Sequence, residues 1–169
     1  MGYEYAKVEK RGHISIVTIN RPEVYNAVHP PLSLELDQVW NEFIGDNEQW
    51  VAVLTGAGDK AFSAGNDLKY SAQPGKYKVQ QPKSGFAGLT NRFDRTKPII
   101  AAVNGFAMGG GMETALSCDI ILASENAKFA LPEVKVGFFA AAGGVQRLSS
   151  QIGNKAALEM IHTGRSLDA

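Results

Sequence analysis

The chain has 169 residues, 44% apolar and 20% charged, which is enough for one domain with a real core. Its 17 basic and 17 acidic residues cancel, so no global field favours nucleic acid or an anionic membrane. A single cysteine, Cys118, excludes an internal disulfide and suits a reducing compartment.

Met1 to Lys7 lacks the apolar core of a signal peptide and carries an acid too early for a transit peptide, so a cytoplasmic location is expected. Tyr5 to Lys10 and Ile14 to Asn20 alternate apolar and polar residues around Arg11-Gly12-His13, the pattern of a hairpin. Leu32 to Phe43 has helical spacing through Leu34, Leu36, Val39, Trp40 and Phe43. Three short apolar runs, Trp50 to Thr55, Pro98 to Val103 and Asp119 to Ala123, predict strands buried on both faces. Ser71 to Thr96 reads as a mobile loop leading into a short amphipathic helix with Phe86, Leu89 and Phe93. Helices are expected from Ala142-Gly-Gly144 through Ile152 and from about Asn154 to Thr163. The alternation predicts an α/β fold in one domain, residues 1–169. Ile99 to Ala123 is long and apolar, but Asn104, Glu113, Asp119 and four glycines favour burial in protein over membrane.

Several chemistries lack their signature. Gly56-Ala-Gly58-Asp-Lys-Ala61 mimics a dinucleotide fingerprint but runs into loop-like residues without the ribose acid, so a turn is expected. No phosphate loop or Gly-x-Ser-x-Gly elbow occurs. His13, His29 and His162 have no metal spacing and read as surface or packing residues. Cys118 reads as a core thiol.

Two glycine-centred loops remain, each after an apolar run: Ala61 to Lys69, and Asn104 to Glu113 with three successive glycines. Met112-Glu-Thr-Ala-Leu looks like the first turn of a helix, whose free N–H groups favour negative charge. A second loop N–H facing the same point makes a two-donor oxyanion hole. Spacing alone leaves two readings for each nearby acid. Glu113 is an acid/base group or a helix N-terminal dipole partner; Glu133 is an acid/base group or a surface helix acid.

Five motifs, in order, resemble the enoyl-CoA hydratase/isomerase (crotonase) family: Asn20-Arg-Pro-Glu-Val-Tyr-Asn-Ala27, Phe62-Ser-Ala-Gly-Asn-Asp-Leu-Lys69, Ala102 to Glu113, Ala127-Lys-Phe-Ala-Leu-Pro-Glu133 and Ala142-Gly-Gly-Val-Gln-Arg-Leu148. The resemblance implies a spiral of repeated ββα units, assembled as a homotrimer or a dimer of trimers. It implies an acyl-CoA substrate and no cofactor, since CoA enters as part of the substrate. The backbone N–H groups of Asn66 and Gly110 would form the oxyanion hole, with Glu113 and Glu133 as the acid/base pair. Val24, Ala64, Leu68 and Lys69 would line the CoA channel. Having both glutamates favours a hydratase or dehydratase over relatives that lack one of them. The alternatives are a double-bond isomerase, which needs one base, and a silent acyl-CoA-binding module, which the truncation suggests. A Clp-type protease subunit would need a nucleophile serine and a catalytic histidine that no recognisable context supplies.

After Glu133 the chain reads Val-Lys-Val-Gly-Phe-Phe-Ala-Ala-Ala-Gly-Gly144, where common hydratases carry a proline-containing turn. Phe86-Ala-Gly-Leu and Leu131-Pro-Glu-Val-Lys-Val look most like a carnitinyl-CoA-dehydratase-type branch. Family members continue with further helices beyond the position of Ala169, so a chain truncated before that region is expected.

Overall fold

The structure, a computed structural model, describes residues 2–75 and 81–169. Strands β1 (Ala6–Arg11) and β2 (Ile14–Ile19) form the expected hairpin, in register from Ala6 opposite Ile19 to Arg11 opposite Ile14. After a 3-10 turn at Pro22–Val24, helix α1 spans Pro30–Gly45. Prolines suit its first turn, where backbone donors have no partner in the helix. The ring of His29 caps it, Nδ1 accepting the N–H of Leu32 at 3.3 Å. Leu32, Leu36, Val39, Trp40 and Phe43 form its buried face, close to the predicted stripe; Leu34 alone points outward.

Strands β3 (Val51–Gly56), β5 (Ile99–Val103) and β7 (Ile120–Ala123) extend the hairpin into one sheet, ordered β1-β2-β3-β5-β7 and parallel from β2 onward. Each then feeds a strand of a second sheet: β4 (Ala61–Ser63), β6 (Phe106–Met108) and β8 (Lys128–Ala130). A helical turn follows every crossing: α2 (Leu68–Ser71), α3 (Gly110–Leu116) and a 3-10 turn at Pro132–Val136. This is the ββα spiral. Helices α4 (Gly144–Ile152) and α5 (Asn154–Thr163) come next, and β9 (Leu167–Asp168) pairs antiparallel with β8.

One buried cluster packs α1 on the first sheet through Trp40, Leu54, Phe62 and Ile99. A second joins α3 to the terminal helices through Met112, Leu116, Leu148 and Met160. Each such side chain contributes roughly 1.5–3 kcal/mol on burial.

Three expectations need correction. Strands β3 and β5 alternate buried and half-buried residues, and β7 leaves Ile120 51% and Leu122 61% exposed. β7 is the sheet edge, and no described element covers that face. The amphipathic helix before Thr96 is replaced by a 3-10 turn at Phe86–Gly88. Ala87 takes φ +54 between Gly85 and Gly88, so Phe86 and Leu89 turn inward while Phe93 is 80% exposed. Residues 76–80 of the predicted mobile loop lie outside the described residues. Lastly, α3 starts at Gly110, two residues before the expected point. Among the described residues no helix is long and apolar enough to cross a membrane; Ile99 to Ala123 folds as β5, β6, α3 and β7.

Candidate active site

The loop after β4 and the junction of β6 with α3 touch at one point. A Cβ on Gly65, whose φ is +86, would stand 2.5 Å from Met108 O and 2.9 Å from Gly110 N. Only glycine permits that approach. Ser63 Oγ fixes the first loop, accepting the Gly65 N–H at 3.1 Å and donating to Asn26 O at 2.8 Å. Asp67 caps α2 at Tyr70 N and pairs with Arg21 Nη1 at 2.9 Å, both side chains nearly buried. Burial pulls the Asp67 carboxyl upward, but the Tyr70 N–H and the Arg21 guanidinium outweigh it and hold it below the usual carboxylate range.

Across the junction, a Cβ on Gly110 would stand 2.7 Å from the Phe86 ring. The ring is placed by the 3-10 turn, and Trp40 Nε1 anchors that turn by donating to Ala87 O at 3.0 Å. The N–H groups of Asn66 and Gly110 have no acceptor among the described residues.

Both of these residues line a cleft of about 340 Å³ with Glu113 and Glu133. Glu113, on the first turn of α3, is 4% exposed, and its Oε1 accepts the N–H of Gly144 at 2.9 Å. Burial raises its pKa, and the nearby Glu133 carboxylate adds to that. The N–H groups of Gly144 and Ala142 and the charge of Arg147 oppose the shift without reversing it. Glu133 is half-buried on the 3-10 turn that begins at Pro132, next to Gly109. Burial raises its pKa against a stabilising contact from its own N–H. Its Oε2 is buried with no partner among the described residues. Two carboxyls of raised pKa beside two free N–H donors can hold an oxyanion and move protons at adjacent atoms.

The structure therefore brings together four sequence-derived candidates: Asn66, Gly110, Glu113 and Glu133. Leu68 joins them at the cleft wall. Val24, Ala64 and Lys69 lie outside the cleft, Ala64 donating its N–H to Tyr25 O at 2.9 Å beside Val24. The resemblance implies that residues 134–144 line the acyl pocket, and Val136, Phe138 and Phe139 do form an apolar wall of this cleft; Phe86, expected only on an amphipathic helix, joins them. Sequence reasoning missed the backbone donors that hold Glu113, because nothing in composition marks an N–H.

The remaining candidates are structural. Burial pushes the Cys118 thiol up to about 12, so it is an unreactive core group. His13 stacks on Trp50 with ring centroids 3.7 Å apart, and His29 is the helix cap. Among the described residues no group of His, Cys, Asp and Glu could hold a metal ion.

Known proteins share this architecture. The chain is 46% identical over 160 residues to a carnitinyl-CoA dehydratase of Citrobacter koseri, covering 95% of this chain and 61% of the relative. It is 43% identical over 166 residues to an Escherichia coli protein of the same name, covering 98% and 63%. A carnitinyl-CoA dehydratase structure from Mycobacterium avium superposes with a TM-score of 0.91 at 46% identity, covering 98% of this chain and 64% of the other. An enoyl-CoA hydratase structure from Mycobacterium tuberculosis gives 0.87 at 40%, covering 97% and 63%. The chain thus spans a little over three-fifths of the length of these relatives. With the spiral in place and residues 9–169 matching the family described as enoyl-CoA hydratase/isomerase, this chain belongs to that family.

Proposed function

We propose that this chain binds an acyl-CoA thioester in the cleft and adds or removes water across the bond next to the thioester carbonyl. One observation carries the reading: two carboxyls of raised pKa share a cleft with two backbone N–H groups that have no acceptor. The N–H groups of Asn66 and Gly110 receive the thioester oxygen and stabilise the charge that develops there as an enolate. Water lies between Glu113 and Glu133. One carboxylate takes a proton from the water as its oxygen bonds to the β-carbon. The other carboxyl, protonated, delivers a proton to the α-carbon, so the net change is addition of one water. Dehydration is the same path reversed. A raised carboxyl pKa suits both duties near neutral pH.

In this reading Leu68, with Val24, Ala64 and Lys69 alongside, guides the CoA portion, and CoA is the only cofactor-like group needed. The phenylalanine wall takes the acyl chain. The names of the relatives favour a 3-hydroxyacyl-CoA of the carnitinyl type, and the family pattern favours a homotrimer or dimer of trimers. An isomerase would use the same oxyanion donors with a single base; the second buried carboxyl favours hydration. The test is turnover of crotonyl-CoA, carnitinyl-CoA and a 3-enoyl-CoA, followed at the absorbance of the conjugated thioester. Isomerisation of the 3-enoyl substrate without hydration of crotonyl-CoA would overturn the reading.

A further inference from the structure

At the opposite end of α3 from Gly110, a separate pocket of about 330 Å³ collects Arg92, Arg95 and Arg147. Its floor is buried Leu116 and Cys118, and exposed Phe93 stands at its rim. Two of the three charges have carboxylate partners. Arg92 pairs with Asp37, and Arg95 Nη2 pairs with Asp119 Oδ1 at 2.9 Å. Arg147 has no carboxylate in ion-pair range among the described residues. Its Nη1 and Nη2 donate to the carbonyls of Ala142 at 3.0 Å and Thr90 at 2.6 Å. Arg95 Nη1 is buried and has no acceptor among the described residues.

A buried guanidinium N–H without an acceptor is costly, and each guanidinium carries five donors in a planar fork. Nothing on the pocket floor neutralises the surplus, because the Cys118 thiol stays protonated. Glu113 attracts Arg147, yet its Oε1 is engaged by Gly144. Burial, and then the like charge of Arg95, hold Arg147 below the usual arginine range. The charge of an anion lying between the two guanidiniums would offset both effects.

We propose that this pocket is a binding site for a small oxyanion of phosphate or sulfate geometry, held between Arg95 Nη1 and the guanidinium of Arg147. Arginine forks match the oxygens of such ions in two-point contacts, and the buried floor limits competition from water. The site is distinct from the thioester cleft and does not depend on the reaction proposed there.

Isothermal titration with inorganic phosphate and with sulfate, against potassium chloride at matched ionic strength, tests this. Phosphate and sulfate are expected to bind saturably at one site per chain, and chloride to give no comparable heat. Arg95→Gln should weaken phosphate by at least about tenfold, the loss of one charge-assisted hydrogen bond. Arg95→Lys should fall between the two, since it keeps the charge and loses the fork, and it also reads the site if Arg95→Gln does not fold. Arg11→Gln, an exposed arginine on β1, should bind as the unaltered protein does. Absence of saturable binding to the unaltered protein, or equal affinity in both Arg95 variants, would overturn the proposal.

Discussion

Gly144 donates its backbone N–H to Glu113 Oε1 at 2.9 Å, so α4 begins on a carboxylate carried by α3. The contact satisfies one of the donors that every helix start leaves free, and it places a negative charge where the helix dipole favours it. A Cβ on Gly144 would stand 2.9 Å from Glu113 Cγ, so the helix start and the acid fit each other only with glycine there. The arrangement fixes one Glu113 oxygen at the start of α4.

The two acids are expected to act as a unit. Glu113→Gln and Glu133→Gln should each lower hydration of a 2-enoyl-CoA by about a hundredfold to ten-thousandfold, the usual contribution of a positioned acid or base. The double variant should be little worse than the poorer single one, because removing either stops the same step. Thioester binding, carried by backbone donors, should survive in all three. Normal hydration rates in both single variants would make the carboxyls structural.

In the proposed mechanism the oxyanion donors are main-chain groups, so side-chain changes should discriminate poorly and backbone changes well. Asn66→Ala should be tolerated, since the Asn66 side chain makes only a 3.5 Å contact with Ser71 Oγ. Gly110→Pro should cost on the order of a hundredfold or more in kcat, because it removes a donor outright. Gly110→Ala is the steric control, keeping the N–H while meeting Phe86. Equal turnover in the Ala and Pro variants would show that crowding, not the donor, sets the rate.

Trp40 connects the core to the cleft. Its side chain is fully buried, and its Nε1 holds Ala87 O at 3.0 Å, next to the Phe86 ring on Gly110. Trp40→Phe leaves that buried carbonyl without its donor, which should cost about 1–3 kcal/mol in denaturant unfolding. The rise in KM for the acyl-CoA should accompany it, since the cleft wall loosens. Unchanged stability would place the turn's anchor elsewhere.

Glu133 predicts a pH dependence of stability. Burial raises its pKa in the folded protein above the unfolded value. Its contribution is therefore fully present below the unfolded pKa and lost as pH rises through the folded one. Glu133→Gln should melt above the unaltered protein near about pH 7, with the gap closing as pH falls to about 4. In a chain of this size about 1 kcal/mol moves Tm by roughly 2–4 °C. A gap that widens toward acid pH would mean the carboxylate is stabilised, not strained, by folding.

The sequence by itself determined the hairpin, α1, the parallel strands and the last two helices, while its resemblance to the crotonase motifs named the four residues at the centre of the cleft. Those features are local: apolar period, glycine runs and motif spacing act over a few neighbours along the chain. Only the tertiary structure decided what depends on distant contacts. The outward face of β7 follows from its place at the sheet edge, which no strand pattern encodes. The 3-10 turn at Phe86 in place of a helix follows from Trp40, 47 positions away in the chain, which fixes Ala87 O. The raised pKa of Glu113 and of Glu133 is likewise a property of burial, with the Glu133 charge adding to it for Glu113 and nearby N–H donors opposing it in both. Those groups reach one point only when the ββα turns stack.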